Sequence, residues 1–183
     1  AGVSTDSVSI TNGQTVSAST YATAAEANVL AGLSNSVNYS IKDTAANIAG
    51  ANTTALNQAF NIICTTDANV AQATIIDNAT NGGENTYNIV DTDANIAGAG
   101  NALLTTAGTV EVTCTSTVAH AVTIGNFDKA VAYSISDIAG NALATADPGY
   151  NEAVNITITG NLTVAKADVI KEAGNSGDKT YVI

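Results

Sequence analysis

The chain has 183 residues, with 45% hydrophobic but only 4% aromatic residues, and its 16 acidic groups against five lysines and no arginine give a formal charge of −11. That balance argues against a nucleic-acid partner, since neutralising phosphates needs clustered Lys or Arg. No run of about 18 apolar residues exists to span a membrane, and the Ala, Val, Ile and Leu content predicts a core of small, closely layered side chains.

In chain order, Val8-Ser9-Ile10 alternates as a first strand before the turn Thr11-Asn12-Gly13. Ala spacings near three and four predict a helix from Thr15 to Leu33. Asn38 to Ile41 reads as a strand with Tyr39 and Ile41 on one face, and Asp43 as the N-cap of a helix running to about Ala59. Phe60, Ile62 and Cys64 alternate as a strand requires, and Asp67 is placed as the cap of a helix over 68–76. The order then recurs: a strand over 86–90, Asp91 as cap, a helix from Ala94 to Leu104 interrupted near Gly98 and Gly100, a strand over 110–114 and a helical segment over 117–122. Tyr133-Ser134-Ile135 is followed by Asp137 and a helix cut short by Asp147-Pro148-Gly149. Residues 154–158, 164–167 and 181–183 complete the series.

Tyr39, Tyr87 and Tyr133 stand 48 and then 46 residues apart, each opening a Tyr-x-Ile-x-Asp motif, and Tyr181 opens a fourth copy. Each repeat of about 48 residues holds two strand-plus-helix units of about 24, a length suited to solenoid coils. The fold expected is an α/β solenoid with parallel strands and Ala-rich helices, in one repeat domain over 1–183 with units near 8–59, 60–108, 109–153 and 154–183. The alternative is an all-β solenoid in which the Ala-rich stretches are not helical.

No motif marks a catalytic or cofactor-binding centre. Cys64 and Cys114 read as equivalent inward positions, either buried thiols or a disulfide; stacking about 4.8 Å apart permits a bridge, whereas about 10 Å does not. With a single histidine, His120, they do not complete a metal site. His120 is expected at the surface of its helix. Asp43, Asp91 and Asp137 read as helix caps, with a calcium row as the alternative; Asn47, Asn95 and Asn141 four residues later stack as a ladder or face solvent. Asn38, Asn52, Asn78, Asn155 and Asn161 match the N-glycosylation acceptor pattern.

The Tyr-x-Ile-x-Asp-Thr-x-Ala-Asn-Ile-Ala element, with Val70-Ala71-Gln72-Ala73 and Val164-Ala165-Lys166-Ala167, resembles repeats of very large bacterial surface and haemolysin-type secreted proteins. The resemblance implies an extracellular structural or adhesin role and carries no catalytic residues. The absence of methionine and the start Ala1-Gly2-Val3 fit removal of a secretory signal peptide. The expected function is therefore a secreted, non-enzymatic subunit that assembles head-to-tail with its own copies through Val8, Ile10, Tyr181, Val182 and Ile183 into a filament, sheath or matrix fibre. An adhesin-type module for surface glycan is the alternative.

Overall fold

The computed structural model describes residues 16–17, 20–33 and 37–183. Among these the chain is mixed α/β, with eleven short strands that pair only in parallel and nine helices. The all-β alternative is overturned, because the Ala-rich stretches are helical. Two compact units are formed, Ala1–Asn88 and Ile89–Ile183.

In the first unit the order is β1 (Val16–Ser17), α1 (Ala24–Ala31), β2 (Val37–Asn38), β3 (Ile41–Asp43), α2 (Ala45–Ala49), α3 (Thr53–Gln58), β4 (Ile62–Cys64), α4 (Val70–Asp77) and β5 (Asn85–Thr86). Strands β3, β4 and β5 pair side by side, Ile41 opposite Ile62 and Ile62 opposite Asn85. Helix α1 packs on α3 and α2 on α4. Ile41, Ile48, Ile62 and Ile76 are fully buried between strands and helices. Each such side chain contributes about 1.5–3 kcal/mol relative to exposure.

The second unit runs β6 (Ile89–Asp91), α5 (Asp93–Gly98), α6 (Asn101–Thr106), β7 (Val110–Val112), α7 (Val118–Ile124), β8 (Val131–Ala132), β9 (Ile135–Ile138), α8 (Pro148–Asn151), β10 (Ile156–Asn161), α9 (Val164–Glu172) and β11 (Lys179–Val182). Its sheets are β6-β7-β8 and β9-β10-β11, and an isolated parallel bridge joins Ser116 to Ile135. Helix α7 packs on both α5 and α8. Backbones meet at the second of these contacts: a Cβ on Gly149 would lie 2.5 Å from the Ala121 carbonyl, so only glycine fits.

Helix starts are set by side-chain oxygens that accept orphan N–H groups. Thr23, Asn69, Thr117 and Thr163 each precede an Ala- or Val-led helix and accept from the backbone N–H three residues on. Thr23 with Glu26, and Asn69 with Gln72, form full capping boxes.

These caps correct several expectations. The predicted helix over 15–33 is a strand, β1, followed by α1, because Thr23 begins the helix and Ala22 bridges in parallel to Ile41. The helix drawn from Asp43 to Ala59 is two, α2 and α3, parted after Gly50. The break expected near Gly98 and Gly100 is present between α5 and α6. Strand β4 begins only at Ile62, leaving Phe60 60% exposed, and β7 stops at Val112. Pro148 starts α8 at its first turn rather than ending a helix, since its missing N–H is an orphan there. Val8 and Ile10 lie outside the described residues.

Candidate functional site

The recurring Tyr-x-Ile-x-Asp motif builds a clasp at the end of its strand. Asp43 Oδ1 accepts from Thr44 N at 2.7 Å and Asn47 Nδ2 at 2.9 Å, and its Oδ2 accepts from Ala24 N at 3.0 Å. Asp137 repeats this with Ile138 N at 2.8 Å, Asn141 Nδ2 at 2.8 Å and Val118 N at 2.9 Å. Asp91 accepts from Thr92 N at 2.7 Å and Asn95 Nδ2 at 2.8 Å. The Asp43 and Asp137 carboxylates therefore each tie their own junction to the start of an earlier helix. Helices α2 and α5 are capped by Thr44 and Thr92, one residue beyond the aspartates assigned from sequence. The asparagines hold their own aspartate rather than forming a ladder.

Burial alone would raise the Asp43 and Asp137 carboxyls, but the N–H donors outweigh it and hold both below the usual value. Those donors point positive charge at oxygens on which a cation would depend. Among the described residues no group of three or more His, Cys, Asp or Glu is placed to hold a metal ion.

The tyrosines pin helices to strands. Tyr39, Tyr87 and Tyr133 are buried, and their hydroxyls donate at 2.8 Å to Ala55 O, Asp77 Oδ1 and Gly149 O respectively. Burial raises the Tyr133 hydroxyl, and the nearby Glu152 and Asp147 carboxylates add to the effect. Tyr181 is half-buried in β11, and Val182 and Ile183 are exposed.

Cys64 and Cys114 are both free thiols. They are not equivalent: Cys64 pairs opposite Asp43, whereas Val112 occupies that place opposite Asp91, and Cys114 lies two residues further on, exposed. Burial pushes the half-buried Cys64 thiol up to about 11.

One cluster escaped the sequence reading. His120, half-buried on α7, has Nδ1 at 2.6 Å from Asp93 Oδ2, which also accepts Thr117 N, while Cys114 Sγ lies 3.6 Å from Asp93 Oδ1. The carboxylate accepts only, so Nδ1 carries the proton. Burial would raise the Asp93 carboxyl, but the His120 and Thr117 bonds keep it lowered. Aspartate stands between thiol and imidazole, so His120 is not placed to take a proton from Cys114. The arrangement braces α5 against α7. The signal was the change of Ala45 to Asp93 between aligned repeats.

Compared with known proteins, the chain matches no family model, no curated protein and no solved structure.

Proposed function

We propose that this protein is a secreted, non-enzymatic structural subunit, an α/β solenoid of the kind its resemblance to bacterial surface repeats implies, that assembles head-to-tail with its own copies into an extracellular filament, sheath or matrix fibre. The observation that carries this reading is the parallel edge of β11. Asp178 O and Val182 O accept from Ile156 N and Leu162 N, so by strand alternation the N–H and C=O groups of Lys179 and Tyr181 face away from β10. Among the described residues β11 pairs with β10 alone. An unpaired parallel edge of this kind accepts another strand in the same direction.

Supporting it, successive strands pair at nearly constant sequence steps, Ile89 with Val110, Val110 with Val131, and Ile135 with Ile156, each 21 residues apart as is the Ser134–Asn155 bond. Strands added in one direction at such an edge propagate rather than close. Sedimentation velocity and negative-stain electron microscopy across a concentration series test the proposal: fibres that lengthen with concentration are expected, and a stable monomer at high concentration overturns it.

A further inference from the structure

The first unit carries an open groove of ≈ 900 Å³ beside β1 and β2. Its lining includes Tyr21, Asn38, Ser40, Asn57, Gln58 and Phe60, and among the described residues no charged side chain, in a chain whose net charge is −11. Two aromatic rings border it largely in solvent, Tyr21 at 52% and Phe60 at 60% exposure. In a protein with only 4% aromatic residues, two exposed rings on one groove are a concentrated apolar surface.

Both rings are held by their surroundings. Phe60 N donates to Tyr39 O at 2.7 Å, and Gly82 N to Ala59 O at 3.2 Å, fixing the backbone that presents Phe60. The Lys42 ammonium sits 5.6 Å from the Tyr21 ring centroid, restraining that ring by cation–π attraction. Asn57 Oδ1 accepts Thr80 N at 2.9 Å, which fixes the amide and leaves its Nδ2 as a donor. Ser40 Oγ accepts Asn61 N at 3.2 Å and keeps its hydroxyl proton to give.

Apolar rings flanked by amide and hydroxyl groups match a ligand that has apolar faces and a rim of hydroxyls. We propose that this groove binds a neutral oligosaccharide, its C–H faces on Phe60 and Tyr21 and its hydroxyls on Asn38, Asn57, Gln58 and Ser40. Acidic saccharides are opposed by the net charge of −11. The site needs only the first unit's own residues, so it stands independently of the assembly reading.

Calorimetric titration of the whole protein with cello-, xylo-, manno- and malto-oligosaccharides, with oligogalacturonate as the acidic comparison, tests it. One or more neutral series should bind, and F60A and Y21A should each weaken binding about tenfold, the loss of one ring contact. Val29→Ala, at an exposed site outside the groove, should leave affinity unchanged, and circular dichroism should show every variant folded. Absence of binding by all four neutral series at millimolar concentration, preference for oligogalacturonate, or undiminished binding by folded F60A overturns the proposal.

Discussion

Replacing Asp137 with alanine should destabilise the second unit by about 3 kcal/mol. Three donors lose their acceptor: Val118 N at 2.9 Å, Ile138 N at 2.8 Å and Asn141 Nδ2 at 2.8 Å. Hydrogen bonds to a charged group are worth about 1.5–3 kcal/mol each, and water reaching the half-buried site recovers part of the sum. Asp137→Asn should cost about 2 kcal/mol, because its amide group would set a donor against either Val118 N or the Ile138–Asn141 pair. Asn141→Ala removes one bond and should cost about 0.5–1 kcal/mol. Urea denaturation followed by circular dichroism measures these differences, and hydrogen exchange at Val118 reports the bond directly. The same clasp predicts a pH dependence. The Asp137 carboxyl is held below its ordinary 3.8, so its contribution is complete above that value and is lost as pH falls through the lowered folded pKa. Asp137→Asn should flatten that part of the stability curve. A cost below about 0.5 kcal/mol for Asp137→Ala, or unchanged Val118 exchange, would refute the clasp as a stabilising element.

Ile62→Ala should cost about 2–5 kcal/mol, since Ile62 is 0% exposed, whereas Phe60→Ala should leave the denaturation midpoint nearly unmoved. Ser116 is fully buried and its Oγ has no partner among the described residues, so Ser116→Ala should be neutral or stabilise by up to about 1 kcal/mol, read as a higher Tm. Iodoacetamide at pH 8 should alkylate exposed Cys114 well before Cys64, whose thiol pKa near 11 leaves about one thiolate in a thousand; peptide mapping would show the order. Tyr181→Pro removes an N–H on the open side of β11 while sparing the bonds to β10. It should abolish fibre growth without loss of folded monomer by sedimentation.

Periodicity made the parallel strand–helix order readable, because Tyr39, Tyr87 and Tyr133 occupy buried anchoring positions and hydrophobic spacing marked the strands between them. Boundaries were less legible where two local rules competed. Thr15 to Leu33 has helical alanine spacing, yet the Thr23-x-x-Glu26 box is a stronger start signal and was present in the sequence. Asp43-Thr44 offers two cap residues in succession. Which one caps depends on a distant fact, that the Ala24 N–H needs an acceptor, so aspartate serves the earlier helix and threonine its own. The cysteine equivalence failed because residue type was matched in place of spacing: the 48-residue interval between Tyr39 and Tyr87 carries Cys64 to Val112.

That interval also separates what maintains the fold from what is free to vary. It carries Ile62 to Val110, Ala73 to Ala121 and Ile76 to Ile124, all buried in their own units. These positions keep their apolar character because their neighbours leave little room for change. The same shift carries Ala45, Thr66 and Gln72 to Asp93, Cys114 and His120. In the first unit Ala45 N donates to Thr66 Oγ1 at 3.1 Å and Gln72 returns to its own cap. In the second, an aspartate draws the histidine and the thiol to itself. Three contacting positions have thus changed together while the strand register around them stayed parallel. The backbone ladder and buried aliphatic side chains hold the architecture, and the junction surface is where one repeat acquires chemistry that another lacks. Phe60 fits the same division: it lies two residues before buried Ile62, outside the strand, where a large ring can face solvent without disturbing the core.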